Sequence, residues 1–204
     1  MLENMFNIFM ETINMSPINI VALSVLLYLI GSVPFAIITS KLFNLPDPRS
    51  FGSMNPGATN VMRSGNKPAA AITLSGDLLK GFIPVFFIIN DNINIALAYL
   101  ISLFIIIGHI YPIFLKFRGG KGVATSIGII IAINLYVGLL FIFTWIAAYI
   151  LSRVSGLSAL IAFTILPVYF YALTDYQNIT YIAVINSIII FLTHTSNIKS
   201  LNSK

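Results

Sequence analysis

The 204-residue chain has no cysteine and few charged residues. The absence of cysteine excludes a disulfide, a thiolate metal site and a thiol nucleophile. Only 8% of the residues are charged, whereas soluble domains carry roughly 25%. Hydrophobic residues make up 58% of the chain, and several apolar runs approach or exceed the ~20 residues needed to cross a bilayer. This composition predicts an all-α membrane protein that forms a single domain over residues 1–204.

Several other features are missing as well. No basic stretch precedes the first apolar run, where Glu3 and Glu11 lie instead, so we expect no cleavable signal peptide. The two histidines, His109 and His194, lie far apart and no carboxylate clusters with either in the sequence, so we expect no metal site. The net charge of +5 suits cytoplasmic loops and anionic lipids or substrates, so nucleic acid is not an expected partner.

The apolar runs mark the membrane-spanning segments. Five of them lie at about 18–40, 68–90, 94–115, 159–173 and 179–193. A further run, 123–151, would measure about 44 Å as one helix, which is too long for a hydrocarbon core of ~30 Å. A break near Asn134 would divide this run into two shorter segments and give seven transmembrane helices.

The distribution of lysine and arginine favours that break. With seven spans, every lysine and arginine except the intramembrane Lys80 falls on one side of the membrane. Without the break, Arg153, Lys199 and Lys204 would move to the opposite side. Cytoplasmic loops carry an excess of lysine and arginine, so the pattern predicts seven spans with the N-terminus outside and the C-terminus in the cytoplasm.

The longest polar interruption, residues 46–67, has the composition of an anion-binding loop. It contains Arg49 and Arg63 among glycines, serines and asparagines. Glycine lets the backbone approach a ligand, and arginine offers a planar fork that fits phosphate. The alternative interpretation is a basic loop that merely sets the topology.

A second glycine-rich segment precedes the apolar run that begins at Val123. It holds Gly119, Gly120, Lys121 and Gly122. A turn of this kind at a helix N-terminus binds anions through free N–H groups and the helix dipole. It is not an ATP-binding P-loop, because position 115 is leucine and Val123 replaces the serine or threonine of that motif. A tight cytoplasmic turn is the alternative.

Four polar residues lie inside the predicted spans or near their ends. Asp77 and Lys80, at i and i+3 on one helix face, favour an ion pair inside the protein. Ser32 could act on a substrate, or it could bond to its own helix backbone. His109 could be functional, or it could cap a helix or bond to a backbone carbonyl.

The remaining candidates lie at predicted helix ends on the cytoplasmic side. His194, with Asn197 three residues further on, is the more suggestive of the two histidines. Ser155 and Ser158 could bind substrate, or they could be helix N-caps. All these polar groups fall at one predicted membrane face, which favours a shared anion site.

These residues carry a resemblance to a known family. The segments GSVPFAIITSKLF at 31–43 and DPRSFGSMNPGATNVMRSGNK at 47–67 resemble the first motif of the bacterial acyl-phosphate:glycerol-3-phosphate acyltransferases, the PlsY family. The segment GHIYPIFLKFRGGKGVATSIG at 108–128 is similar to the second motif. RVSGLSAL at 153–160 and HTSNIKSL at 194–201 resemble weaker versions of the third motif and of the C-terminal His–Asn segment.

The resemblance implies a seven-helix enzyme of the bacterial inner (cytoplasmic) membrane, with its active site facing the cytoplasm. Such an enzyme transfers a fatty acyl group from acyl phosphate to the 1-hydroxyl of glycerol 3-phosphate. The products would be lysophosphatidate and phosphate, in the first step of phospholipid synthesis. The implied partners are the two substrates and the lipid bilayer, without a metal, a cofactor or an obligatory protein partner.

The motifs also imply site residues. Catalysis would fall to Ser32, His194 and Asn197, with the hydroxyl proton taken by His194 or by a substrate phosphate. Phosphate binding would fall to Arg49, Ser53, Asn55, Asn60 and Lys121, together with Arg63, Gly119, Gly120 and Gly122 of the same loop and turn. Gly156 stands where the third motif is expected to have a serine, so Ser155 or Ser158 would take that role.

A membrane transporter for a phosphorylated anion is the alternative function. A transporter needs substrate access from both sides of the membrane, yet nearly all the polar residues lie at one predicted face. The sequence also lacks the inverted repeat of interrupted helices that is typical of many transporters.

Overall fold

The computed structural model describes residues 15–91 and 93–195. Every regular element in these ranges is helical, as the composition predicts. In chain order the α-helices are α1 (Pro17–Gly31), α2 (Phe35–Leu42), α3 (Ala58–Met62), α4 (Lys67–Asn90), α5 (Ile95–Ile110), α6 (Val123–Ile133), α7 (Leu135–Ser152), α8 (Ser155–Leu173) and α9 (Gln177–Thr193). A 3-10 helix at Ile113–Leu115 follows α5.

Five helical segments of the described chain are long and apolar enough to cross a membrane. They are Pro17–Leu42, Lys67–Asn90, Ile95–Leu115, Leu135–Ser152 and Ser155–Leu173. The helices α6 and α9 are apolar but shorter. The five long segments and the two short ones lie where the sequence predicts its spans.

The first span is interrupted at residues 32–34. The sequence prediction puts Ser32 inside a helix, but α1 ends at Gly31 and α2 begins only at Phe35. The interruption has a local cause: Pro34 has no N–H to donate, and a proline disfavours the helical conformation of the residue before it, which here is Val33. The break places backbone polar groups inside the bundle, where they need partners from other helices.

The predicted break near Asn134 is confirmed. The helix α6 ends at Ile133 and α7 begins at Leu135. The Asn134 side-chain oxygen accepts the Val137 N–H at 3.1 Å, so this residue caps the N-terminus of α7. The run 123–151 is therefore two helices, as the argument from bilayer thickness requires.

Glycines allow close helix packing beside the polar residues. A Cβ atom on Gly31 of α1 would overlap the backbone of Ile105 in α5, and one on Gly81 of α4 would overlap the backbone of Thr125 in α6. Small residues let helix backbones approach each other in membrane proteins. The segment that contains α5 is the most buried of the five long ones, so the apolar core surrounds it.

Candidate active site

A small cavity lies where four parts of the chain meet. The break after α1, the loop before α3, the middle of α4 and the segment from the end of α5 to the glycine-rich turn all contribute to it. Its lining includes Gly31, Ser32, Val33, Pro34, Phe35, Ala36, Pro56, Asp77, Lys80, His109, Pro112, Leu115, Gly119 and Gly120. The fold thus brings the first two sequence motifs to one place.

Ser32 lies in the break and is completely buried. Its Oγ donates a hydrogen bond to the carbonyl oxygen of Tyr28 at 2.9 Å, and its backbone N–H also caps the end of α1. The bond to its own helix, one of the two alternatives for this serine, is therefore present. Its place in the cavity wall keeps it beside the glycine-rich turn.

Asp77, Lys80 and His109 form a buried cluster in the cavity wall. The Lys80 Nζ lies 2.8 Å from Asp77 Oδ1, which confirms the predicted ion pair. The His109 Nδ1 lies 3.4 Å from the same carboxylate oxygen and 3.3 Å from Thr125 Oγ1. The expectation that no carboxylate clusters with a histidine was therefore wrong, because packing of α4 against α5 brings together residues that are distant in sequence.

The glycine-rich turn leads directly into α6, as predicted. Gly122 has a φ of +86° and is the residue before the helix, a conformation that glycine adopts without strain. The first-turn N–H groups of α6 lack acceptors within the helix, so they lie beside the turn as potential anion donors. Lys121 is half-buried, and burial lowers the pKa of its ammonium group below the usual value.

The loop before α4 presents a different arrangement. The guanidinium of Arg49 forms a two-pronged ion pair with Asp47, with Nε 3.0 Å from Oδ1 and Nη2 2.6 Å from Oδ2. This hydrogen-bonded pair lowers the pKa of Asp47 and raises that of Arg49. The pair lies near solvent, with a side-chain exposure of 36% for Arg49 and 41% for Asp47. The predicted phosphate ligand is thus already bound to a carboxylate of its own loop.

Asn60 holds this loop in shape. Its side chain is buried, and its Oδ1 accepts the Ser53 N–H at 2.9 Å. Its Nδ2 donates to the carbonyl oxygens of Pro48 at 2.6 Å and of Phe51 at 3.0 Å. The Asn60 amide is therefore engaged by the loop backbone, a role that the sequence did not indicate.

The other three predicted ligands of this loop are less buried than Asn60. Ser53 and Arg63 are exposed, and Asn55 is half-buried. All three stay candidates for phosphate binding.

Ser155 and Ser158 are not helix N-caps, so that alternative was wrong. The residue before α8 is Val154, and no side chain caps the helix. Ser158 is buried and its Oγ donates back to the Val154 carbonyl at 3.0 Å. The Ser155 Oγ lies 3.4 Å from Thr59 Oγ1, so of the two serines it is the one that reaches the loop of the first motif.

His194 lies at the end of α9, beside the glycine-rich turn. Its Nδ1 is 2.9 Å from the carbonyl oxygen of Ile190, and because a carbonyl only accepts, Nδ1 carries the proton and Nε2 is an acceptor. Burial lowers the pKa of His194; the Ile190 bond opposes this and the Lys121 charge adds to it. Thr193 Oγ1 donates to the Lys121 carbonyl at 3.1 Å, which ties the helix end to the turn.

Two predicted features are not addressed by the structure. Asn197 lies outside the described residues. Within residues 15–91 and 93–195, no three His, Cys, Asp or Glu side chains are grouped so that they could hold a metal ion. The expectation that the protein uses no metal stays a prediction.

The chain is similar in sequence to one family throughout most of its length. The family model described as glycerol-3-phosphate acyltransferase matches residues 21–204. A glycerol-3-phosphate acyltransferase from Ruthia magnifica subsp. Calyptogena magnifica is 50% identical over 184 residues, which cover 89% of this chain and 92% of the relative. One from Nitrosomonas eutropha is 47% identical over 182 residues, which cover 85% of this chain and 89% of the relative.

The fold is also similar to solved structures. A crystal structure of PlsY, an integral membrane glycerol 3-phosphate acyltransferase, in its glycerol 3-phosphate form matches with a TM-score of 0.85 at 30% identity. The match covers 91% of this chain and 92% of that chain. The lysophosphatidic acid form matches with a TM-score of 0.83 at 29% identity.

Proposed function

The chain belongs to the glycerol-3-phosphate acyltransferase family and is an integral membrane enzyme that transfers an acyl group to glycerol 3-phosphate, and from this premise we propose that its acyl donor is acyl phosphate. The observation that carries the proposal is the meeting of the glycine-rich turn, the break at Ser32 and the end of α9. This arrangement suits two substrates that both carry phosphate. The alternative of an anion transporter has no support in the family membership.

The chemistry needs little covalent help from the protein. The 1-hydroxyl oxygen of glycerol 3-phosphate attacks the carbonyl carbon of acyl phosphate. The bond from that carbon to the phosphate oxygen breaks, and inorganic phosphate leaves. Acyl phosphate is a mixed anhydride with a good leaving group, so the enzyme mainly positions the hydroxyl, stabilises the oxyanion and neutralises the departing phosphate.

The turn and the loop supply the groups for these tasks. We assign the phosphates to Lys121 and the turn glycines at the N-terminus of α6, and to the loop candidates Arg49, Arg63, Ser53 and Asn55. Asn60 keeps the loop in shape for them. Ser155 is the serine that we assign to the third motif, because it contacts this loop through Thr59.

His194 orients the acceptor hydroxyl. Its Nε2 is an acceptor, since Nδ1 donates to Ile190. The pKa of His194 is lowered, mainly by burial, which disfavours the imidazolium form. The imidazole is therefore better suited to accept a hydrogen bond from the hydroxyl than to take its proton. We therefore assign the hydroxyl proton to a substrate phosphate, whose second pKa is about 6. Asn197 is the expected second contact to this substrate.

The test is a defined reaction with purified protein in detergent or nanodiscs. Acyl phosphate and glycerol 3-phosphate are supplied without coenzyme A, acyl carrier protein or added metal. We expect lysophosphatidate and inorganic phosphate in equal amounts. Product that forms only with acyl-coenzyme A or with acylated carrier protein would show that the proposed donor is wrong.

We also infer how the single domain lies in its membrane. The proposal is seven spans in a bacterial inner membrane, with the N-terminus outside, the C-terminus in the cytoplasm and the site facing the cytoplasm. It is supported by the five long and two short apolar helices and by the one-sided distribution of lysine and arginine.

Cysteine labelling tests this topology on a clean background, since the chain has no cysteine. A cysteine at Asn134, between α6 and α7, should react with an impermeant reagent in intact cells. A cysteine at Asn66, before α4, should react only after the membrane is opened. Labelling of the Asn66 position from outside would overturn the arrangement.

A further inference from the structure

Three ionisable side chains that the reaction above does not use are buried inside the bundle. Asp77, Lys80 and His109 are 3%, 6% and 8% exposed. Asp77 follows the start of α4 at Lys67 by ten residues, or about 15 Å along the helix. Ionisable groups at such depth are costly in a membrane protein, and apolar residues of similar volume often replace a buried ion pair without loss of stability. Stability alone therefore gives little reason for the cluster.

The cluster contacts both segments that form the cavity. The Lys80 Nζ donates to the carbonyl oxygen of Val33 at 2.9 Å, in the break directly after Ser32. The His109 carbonyl accepts the Gly120 N–H at 3.0 Å, and a Cβ atom on Gly120 would overlap the His109 imidazole at Nε2. The Asp77 carboxylate joins the Lys80 ammonium group and the His109 imidazole, since its Oδ1 is 2.8 Å from Lys80 Nζ and 3.4 Å from His109 Nδ1.

Neither of the joined segments belongs to an α-helix. Residues 32–34 lie between two helices and leave the Val33 carbonyl in need of a donor, which Lys80 provides. The turn contains Gly119, Gly120 and Gly122, whose backbones are intrinsically permissive. A misplacement of about 1 Å in a catalytic site can cost roughly 100-fold in rate. Side chains that hold these two segments in place are therefore expected to have a large effect on turnover.

We propose that Asp77, Lys80 and His109 are positioning residues that hold the Ser32 break and the glycine-rich turn in register for phosphate binding and acyl transfer. The inference rests on the proposed function, because only a reacting phosphate on the turn makes its exact position matter. It differs from the interpretation of Asp77 and Lys80 as a purely structural ion pair, which predicts no effect on the kinetic constants of folded protein.

The double variant Asp77→Leu with Lys80→Met separates the two interpretations. It removes both charges and keeps similar volumes, so folding is expected to survive even though the Val33 carbonyl loses the Lys80 donor. For folded protein, we expect the inhibition constant of inorganic phosphate to rise about tenfold and kcat to fall roughly 10- to 100-fold. A purely structural pair would instead change the melting temperature or the folded fraction and leave these constants unaltered.

A single variant supports the test if the double variant does not fold. His109→Gln leaves the ion pair in place and should raise the inhibition constant of phosphate and lower kcat in the same sense. Ser102→Ala is the matched control, because Ser102 is a buried polar residue of the same helix whose hydroxyl donates to the Tyr99 carbonyl within α5 and which is not among the residues that line the cavity. Unaltered constants in the double variant, or in His109→Gln where the double variant is unfolded, would overturn the proposal.

The outcome is distinguishable from a failure of the proposed donor. The rise in melting temperature on addition of inorganic phosphate measures phosphate binding in the absence of any acyl donor. Wild-type protein that binds phosphate but does not use acyl phosphate would contradict the donor alone. Wild-type protein that uses acyl phosphate, with variants of unchanged phosphate affinity and kcat, would contradict the positioning role alone.

Discussion

The loop 46–67 and the glycine-rich turn at 119–122 look alike in the sequence, since both combine glycines with basic side chains, but they differ in the folded chain. In the loop, Arg49 retains 36% of its side-chain exposure and is already paired with the exposed Asp47. In the turn, Lys121 is half-buried at the start of α6, and Gly120 is packed against His109. Electrostatic interactions strengthen as water is excluded, so equal charge in the sequence does not mean equal phosphate binding.

The difference suggests a division of labour between the two regions. In the proposed site the turn would bind and polarise the reacting phosphate, because a helix N-terminus and a partly desolvated ammonium group lie there together. The loop would attract and orient substrate near water, where ion pairs contribute only about 0–1 kcal/mol each. Substitutions in the turn and in the loop test whether the two regions contribute unequally to phosphate binding.

The largest effect is expected at the turn. Lys121→Ala should lower kcat/KM by roughly 10- to 150-fold, because a hydrogen bond to a charged group contributes about 1.5–3 kcal/mol. Steady-state kinetics with both substrates measure it. Lys116→Ala is the matched control, since Lys116 is an exposed lysine just before the turn and should change the rate little. A Lys121 variant as active as the control would remove the turn from the phosphate site.

A smaller effect is expected at the end of α9. His194→Asn keeps a polar group, so kcat should stay near wild type and the KM for glycerol 3-phosphate should rise up to about tenfold, the value of one neutral hydrogen bond. Burial lowers the pKa of His194, so its imidazole is already neutral at pH 7 and protonates only below its usual value of about 6.5.

The pH profile then decides between orientation and base catalysis. If a substrate phosphate takes the proton, activity should fall as pH drops through about 6, and this limb should persist in His194→Asn. A flattened profile between pH 5.5 and 9, with turnover down a thousandfold, would mean that His194 is the general base.

The smallest effect is expected at the loop. Arg49→Ala should lower kcat/KM by no more than about fivefold at low salt, because an exposed ion pair contributes about 0.2–1 kcal/mol. The loss should shrink further in high salt, which screens exposed charges. Steady-state kinetics at two ionic strengths test this expectation. A salt-independent loss of kcat/KM as large as that of Lys121→Ala would mean that the loop and the turn contribute equally to substrate binding.

The sequence predicted features that depend on length and local spacing. The break at Asn134 follows from the mismatch between a 29-residue run and the bilayer, and the Asp77–Lys80 pair follows from i,i+3 geometry. The glycine-rich turn at the start of α6 was predicted because glycine and helix-start signals are local. Each of these is present in the structure.

Features that depend on tertiary packing were missed. Nothing local brings His109 of α5 to Asp77 of α4; the signal was only that both are polar residues within apolar segments. The engagement of Asn60 with the backbone of its loop also needs the folded loop. The Arg49–Asp47 pair, two residues apart, was accessible in principle, since an aspartate beside a predicted phosphate-binding arginine competes for it.

The most direct test of the account is inorganic phosphate binding to the purified protein at low and high salt, measured by calorimetry on the wild type, Lys121→Ala and Arg49→Ala. We expect Lys121→Ala to weaken phosphate binding at least about tenfold at both salt concentrations. We also expect Arg49→Ala to weaken binding only slightly, and mainly at low salt. Equal, salt-sensitive losses in the two variants would contradict the account, because the turn and the loop would then be equivalent solvent-exposed sites.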